Sequence, residues 1–568
     1  MSEKLGVYDD DGGKEGTGFE TSVQEPYGVY DKNALEYRDA QLAQTGEGDH
    51  GTKRALSPRV CSMIAIAGTI GTGLFLSSGT ALAQGGAVGC FLGYLIMGFF
   101  IGCMMYCLGE LICFNPTIGG FSELGRKYVN ESFGFMMGIT YAFTVGLSVP
   151  SELSAIAVLI GYWDKNEKHA AIYITVFLFV TWGCNMLGVK WYGEVEFIMA
   201  CIKIGMLIVL IIFGLVADLG GVKGGTGFVG GKHWREGPFN TEYLGVHPPS
   251  TAAFLGWWST MVKCAFSFAG IEAVGLLAGE AKNPRKTLRT SIRTTFYRIG
   301  GLYIISIIIL TLNIGYKDPD LLRANDAGGD TAASSPFVLI AKRNGISALA
   351  HVVNAVVVTS AWSAGNESLY GFARCLMGMA RNGCGLKCFL WTTSWGVPWV
   401  GVSLGAAFGP LAYLSLSNGS NQAFVWLSNL TALLKLVCWA AICFCFVRYK
   451  KACDRQGVNR RQLVLRSWCQ PVMAWSCIVC FLLVIFFNGV KAFIPKFDYE
   501  DFLADYISIP FVAVCWGGWQ LYRRDRWIPI DEIDLSGGPA KALSARATTR
   551  RARTTLPSLN NRFIVVEI

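Results

Sequence analysis

Met63-Ile-Ala-Ile-Ala-Gly68-Thr69-Ile70-Gly71-Thr72-Gly73-Leu74-Phe75 decides the fold. The stretch is apolar enough to enter a bilayer, yet its middle is built to stop being a helix. Gly68, Gly71 and Gly73 each lower helix stability by about 1 kcal/mol relative to alanine. A membrane helix tolerates such a break only where the freed backbone faces a cavity enclosed by protein. Bare N–H groups at the start of the next half-helix can then meet an anion, helped by the positive end of its dipole. A second apolar stretch is interrupted in the same way at Phe266-Ser267-Phe268-Ala269-Gly270-Ile271-Glu272. Broken helices at matching places in two halves of a chain point to a carrier whose site lies between the breaks.

Composition agrees with a bilayer protein. Of 568 residues, 52% are apolar and only 16% charged, and the mean hydropathy is +0.39. Soluble domains carry about 25% charged residues. The net charge of +9 raises nucleic acid as a partner, but the basic residues cluster in short loops between apolar runs, which argues against it. Most of the 19 cysteines, among them Cys61, Cys90, Cys201, Cys438 and Cys480, lie in apolar spans. No pair has zinc-ligand spacing with histidines, so buried thiols are expected rather than disulfides or a metal site. His50, His169, His233, His247 and His351 are scattered, and no nucleophile–base or metal constellation appears. An enzyme and a bound cofactor are therefore not expected. Nor does any Gly-x4-Gly-Lys-Ser/Thr signature suggest coupling to ATP.

A bilayer core about 30 Å thick needs roughly 20 apolar residues per helix. That ruler gives an all-α membrane protein of about twelve spans, with helix ends placed to within a few residues. They fall near 59–83, 86–112, 133–162, 170–187, 191–217, 252–279, 296–315, 346–378, 398–415, 423–447, 471–490 and 503–522. Basic residues follow the second, sixth, eighth and tenth spans: Arg126 and Lys127, the group from Lys282 to Arg298, Arg381 and Lys387, and the group from Arg448 to Arg466. All lie on the side of both termini, which the positive-inside rule places in the cytosol. Asn418-Gly-Ser420 is a glycosylation tripeptide on the opposite side, whereas Asn366-Glu-Ser368 and Asn429-Leu-Thr431 fall inside spans. Residues 1–52 read as a disordered cytosolic tail without a signal peptide. Lys4, Lys14 and Lys32 there could serve regulatory or ubiquitination machinery. Residues 53–524 form the membrane domain and 525–568 a cytosolic tail, of which Ile528–Asp534 could pack against the cytosolic face.

Four motifs occur in order: Thr69-Ile-Gly-Thr-Gly-Leu-Phe75, Leu108-Gly-Glu110, Gly193-Glu-Val-Glu-Phe197 with Ile202-Lys203, and Ala278-Gly-Glu-Ala-Lys-Asn-Pro-Arg-Lys286. Together they resemble the fungal amino-acid permeases, the yeast amino acid transporter family within the amino acid–polyamine–organocation superfamily. The resemblance runs from about Lys53 to Asp534. It implies a leucine-transporter-like fold: two inverted repeats of five spans (about 59–217 and 252–447) and two extra helices (about 471–522). It also implies a secondary transporter driven by protons, importing L-amino acids across the plasma membrane by alternating access. A vacuolar membrane is the less favoured location.

An amino acid presents a carboxylate and an ammonium close together, which two unwound helices can meet without burying ionised side chains. The carboxylate is assigned to the N–H groups of Gly71, Thr72 and Gly73, with the Thr72 hydroxyl assisting. By resemblance, the ammonium meets carbonyls of Thr69, Phe266 and Ala269, beside Ser267, and Phe266 or Phe268 closes over the substrate. The plainer reading is that the glycines only allow close helix packing and the aromatics only pack. Glu272 sits near mid-membrane and should be protonated for part of a cycle or share a partner. It leads as the proton-coupling site, with Glu152 as a second proton or pocket residue; either acid could instead be purely structural. Lys203 resembles a tethered substitute for the sodium ion of sodium-coupled relatives, holding the first broken helix, unless it snorkels to the interface.

Lys435 is the departure from the family pattern. It lies about twelve residues from either end of its span, roughly 18 Å, which its side chain cannot cross. It must find a carboxylate, deprotonate or face a wet cavity, with Glu152 or a substrate side chain as partner. Near Thr431, it is expected to disfavour arginine and lysine as substrates, although Ala278–Lys286 and the 489–534 region look most like the basic-amino-acid branch. Two further classes stay open: a receptor that binds amino acids without moving them, and an exchanger or carrier of polyamines or other organic cations.

Overall fold

The computed structural model describes Met63 and residues 70–115, 120–279, 284–325, 335–418, 420–460, 463, 465–494 and 496–535. Gly68, Thr69, the three tail lysines and most of both tails lie outside them. The described chain is nearly all helical. An isolated bridge between Leu219 and Phe228 is the one β-type pairing among the described residues. Among the described residues, seven helices are long and apolar enough to cross a membrane, eight if a bent pair counts as one, and three shorter apolar helices accompany them.

In chain order, a π-helical turn at Gly73–Ser77 leads into α1 (Ser78–Phe114), which is interrupted at Gly86 by a left-handed φ of 78°. That break separates the first two expected spans; a side chain there would meet the backbone of Phe239 and Asn240 at under 3 Å. After α2 (Gly120–Tyr128) come α3 (Glu131–Ile160), α4 (Ala170–Met186) and α5 (Val189–Asp218). The second half begins with α6 (Pro249–Ser267), a 3-10 segment at Ile271–Gly279 and α7 (Pro284–Asn313). It continues with α8 (Ser347–Arg381), α9 (Trp399–Ala406) and α10 (Ser420–Arg455). The last helices are α11 (Val472–Phe487), α12 (Tyr499–Tyr506) and α13 (Ser508–Arg523).

Several helices depart from the hydropathy ruler for local reasons. The basic stretches expected as loops continue α7 backwards to Pro284 and α10 forwards to Arg455, because Arg and Lys are good helix formers and proline suits a first helical position. The expected span 398–415 is split after α9, ahead of the 3-10 segment Gly409–Leu414 that contains Pro410. The last span bends by 43° between α12 and α13, where Pro510 cannot supply the N–H that a straight helix would need.

Lipid is as apolar as leucine, so helix association relies on close packing and polar contacts. Small residues supply the closeness: a Cβ on Gly138 of α3 would lie 2.7 Å from Met379 of α8, and one on Gly93 of α1 would lie 2.3 Å from Thr260 of α6. Phe179, Trp191 and Ile212 on α4 and α5 instead point outward and are exposed. At the bundle end where α3 begins and α10 ends, the segment after α13 forms a strap. The Ile528 N–H donates to the Val129 carbonyl at 2.9 Å, and the Arg448 guanidinium donates to the carbonyls of Tyr128 and Ile528. Gln456 donates to the Ile533 carbonyl at 2.8 Å. Ile528 and Ile533 thus pack against this end of the bundle.

Candidate functional site

The two breaks touch. A Cβ placed on Gly73 would stand 2.4 Å from Cα of Ser267 and 2.9 Å from its nitrogen, so only glycine allows this approach. The Ser267 hydroxyl donates to the Gly73 carbonyl at 2.7 Å and pairs with the Tyr94 hydroxyl at 2.7 Å. Tyr303 donates to the Ser267 carbonyl at 3.0 Å. α6 ends at Ser267, and Gly270 then takes φ 95°, a left-handed turn that redirects the chain into the 3-10 segment carrying Glu272.

The first break is held from two further sides. The Thr72 hydroxyl donates to Glu152 Oε2 at 2.8 Å, so α3 grips the break through a side chain rather than leaving that hydroxyl open. From α8, Ser360 donates to the Ile70 carbonyl at 3.0 Å, and Ala364 packs against Gly71, where a Cβ would come within 3.2 Å. Glycines at 71 and 73 therefore serve close packing.

Lys203 is 1% exposed and does not snorkel. Its ammonium donates to the Ser363 hydroxyl at 3.0 Å. Ser363 in turn donates to Glu196 Oε2 at 2.5 Å, and the Asn366 amide donates to Glu196 Oε1 at 2.7 Å. Asn185 of α4 closes this group by donating to the Asn366 side chain at 2.7 Å. Lys203 thus binds α8 one turn beyond Ser360; the part of the first broken helix from residue 64 to Thr69 lies outside the described residues.

Lys435 finds its carboxylate on Glu272, at 3.4 Å, with both side chains buried. This corrects the expectation that pointed to Glu152. Glu152 is already committed to Thr72 and remains only within electrostatic range of Lys435. Neither Glu272 oxygen accepts a hydrogen bond from a described residue, so a charge contact carries this pair. Thr431, one turn earlier on α10, is fully buried with its hydroxyl unpaired among the described residues. Phe266 packs edge-on against Phe424 at 5.9 Å. Phe268 stacks on Tyr303 at 4.9 Å and tilts on Tyr94 at 6.0 Å, so it belongs to the α1–α7 packing. The Ala269 N–H donates to the Phe266 carbonyl at 3.0 Å, placing both residues in the turn of the second break.

Beyond the residues singled out in sequence, the structure adds Glu196, Ser363, Asn366 and Glu367 to the cluster, and Lys263 one turn before Ser267. Glu367 and Lys263 are ionisable residues within apolar spans, the signal by which sequence could have marked them. No group of three or more His, Cys, Asp or Glu side chains suited to a metal occurs among the described residues.

Long apolar helices, two abutting breaks and buried charges gathered round them define a multi-pass membrane protein of the transporter type. The family model for amino acid permeases matches residues 60–530, and the chain belongs to that family. It is 34% identical to an amino-acid permease of Schizosaccharomyces pombe over 85% of this chain and 92% of the relative. It is 32% identical to the dicarboxylic amino acid permease of Saccharomyces cerevisiae over 88% of this chain and 82% of the relative. The lysine-specific permease of the same yeast is 35% identical, over 86% and 79%.

Proposed function

We propose that this chain is a proton-coupled permease that imports L-amino acids across the plasma membrane by alternating access. The observation that carries the reading is the contact of Gly73 with the Ser267 backbone, which joins two broken helices inside a cluster of buried acids and lysines. On this reading the chain crosses the membrane about twelve times as two inverted five-helix repeats plus two helices, with both termini in the cytosol. The N–H groups of Gly71, Thr72 and Gly73 take the substrate carboxylate, and carbonyls of Thr69, Phe266 and Ala269 take the ammonium.

Coupling follows from the charges. Protonating Glu272 removes the counter-charge of Lys435, and protonating Glu152 weakens its claim on Thr72. Either event loosens one broken helix from a neighbouring span, which is what a change of access requires. Lys203 acts as a fixed positive charge in the place of a sodium ion. Lys435 with Thr431 shapes the far wall of the site and disfavours cationic side chains. The tails are the places where regulatory or ubiquitination machinery would act.

The test is uptake of a labelled amino-acid mixture at about pH 5, near the ordinary carboxylate range, in yeast stripped of its own permeases, with and without a protonophore. Saturable uptake abolished by the protonophore supports the reading, and competition then names the substrate. Ligand binding without uptake by a correctly localised protein would instead indicate a receptor.

A further inference from the structure

Glu367 is the buried acid that the reading above leaves without a task. It lies on α8 and is 7% exposed. Its Oε1 is fully buried and accepts no hydrogen bond from a described residue. The other acids of the cluster have partners: Glu152 has Thr72, Glu196 has Ser363 and Asn366, and Glu272 has Lys435. Glu367 lies in electrostatic range of Glu196, Lys435, Lys203 and Glu272. With all four acids and both lysines ionised, two negative charges would stand uncompensated inside the membrane. Such a cluster lowers its energy by holding protons on the carboxylates that are poorest in hydrogen bonds.

Glu367 also lines a cavity, of about 20 Å3, together with Lys435, Gly270, Tyr141, Tyr192 and Tyr370. That space holds a water molecule and is far too small for an amino acid. The rings of Tyr192 and Tyr370 stack at 4.4 Å. They also border a second cavity, of about 10 Å3, reached by Arg374 and Val397 towards the Arg381 end of α8. Water beside Glu367 can therefore bridge to the Lys435–Glu272 pair, while the tyrosine stack stands between it and the end of the bundle that carries the strap.

We propose that Glu367 is a second proton site, which exchanges a single proton with Glu272 through cavity water while Lys435 stays charged between them. When the proton is on Glu367, Glu272 is ionised and pairs with Lys435 across the 3.4 Å contact. When a proton arrives at Glu272, its O–H bond forms, the O–H bond of Glu367 breaks and that proton leaves past the tyrosine stack. Lys435 then has ionised Glu367 as its counter-charge. The cluster's net charge is the same before and after the exchange, and the shared proton reduces its uncompensated charge from two negatives to one. Tyr141, Tyr192 and Tyr370 line the same cavity, where their hydroxyls can orient the water. The inference rests on the proton-coupled reading and adds the route by which the proton leaves.

The test uses the full chain in permease-deficient yeast and in liposomes, with a labelled amino-acid mixture as probe. Net uptake driven by a pH gradient needs proton release, whereas counterflow between equal pools of amino acid does not. Glu367→Gln is expected to lower gradient-driven uptake about tenfold or more, the scale of a lost proton-transfer group, while counterflow continues. It should also flatten the pH profile of net uptake, and Glu367→Asp should restore both. Gradient-driven uptake and a pH profile unchanged in Glu367→Gln would overturn the inference. So would equal loss of uptake and counterflow that Glu367→Asp does not restore, or failure of both variants to reach the membrane, since each marks a structural role. If the unsubstituted chain takes up amino acids with no response to a protonophore, the proton-coupled reading fails first, a different result from a silent Glu367→Gln.

Discussion

Two polar networks flank the second break, and they are built differently. Towards the Pro249 end, the Lys263 ammonium donates to the Asn429 side chain at 2.5 Å, and Asn429 donates to Asp505 Oδ1 at 3.3 Å. Asn488 donates to the same oxygen at 3.0 Å, and Lys491 pairs with Asp501 at 2.8 Å. Acids and bases balance there, and amides bridge them across α6, α10, the 3-10 turn Asn488–Ala492 and α12. On the other side of the break, acids outnumber lysines, Glu272 and Glu367 keep oxygens without a hydrogen bond from a described residue, and water-sized space adjoins Glu367. A network that satisfies its members fixes helices in one arrangement. A network short of partners and rich in carboxylates has more than one arrangement of comparable energy, and protons choose between them. The first is read as structural and the second as the working part.

The largest expected effect falls where the two networks meet. Gly73→Ala would push a methyl into the Ser267 backbone, and ångström-scale displacement of this kind can lower a rate about 100-fold. Uptake by a variant that still reaches the membrane measures it; near-normal uptake would break the link between the two breaks. Next comes Lys435→Ser, which strips Glu272 of its counter-charge and should lower uptake while raising the ratio of arginine to neutral amino acids. An unchanged ratio would remove Lys435 from specificity and leave it a coupling role. Asp505→Leu should act on the other network alone. It leaves the amides of Asn429 and Asn488 unpaired, at about 1–3 kcal/mol each, so thermal stability in detergent should fall while the pH profile of uptake keeps its shape. A shifted profile would blur the distinction between the two networks.

The smallest effect is expected outside the membrane spans. In the loop between α3 and α4, the Tyr173 hydroxyl, the Asn166 N–H and the His169 ring hold the Asp164 carboxyl at about 2, below its ordinary 3.8. A carboxyl depressed in this way stabilises the fold fully above its ordinary value and loses that contribution only as the pH falls through about 2. Asp164 is therefore ionised throughout the range in which uptake would be assayed. Asp164→Asn should leave the pH profile between about 5 and 7 unaltered. A changed profile would mean that groups outside the buried cluster also set the coupling.

The second break was legible because its signal is local: Gly270 disfavours helix whatever surrounds it. Lys435 was legible as a misfit, too deep in an apolar run to reach water. Its partner was not, because a pairing with Glu272 across 163 positions is a property of how α10 meets the 3-10 segment. Thr72 shows the same limit. Its hydroxyl suits a substrate carboxylate, and only the approach of α3 shows that Glu152 holds it in this arrangement. Glu367 was overshadowed by the Asn366-Glu-Ser368 tripeptide around it, although an acid in an apolar span was the stronger signal. Helix ends were the least legible, since hydropathy reports where lipid stops and α7 and α10 continue beyond it.

The central claim, that buried carboxylates couple amino-acid entry to proton entry, is tested most directly by proton flux. Liposomes containing the chain and a trapped pH dye would receive the amino-acid mixture on the outside. The interior is expected to acidify as amino acid enters, and Glu272→Gln to abolish acidification. Saturable amino-acid entry with no change of internal pH, equal in the protein and in Glu272→Gln, would contradict it.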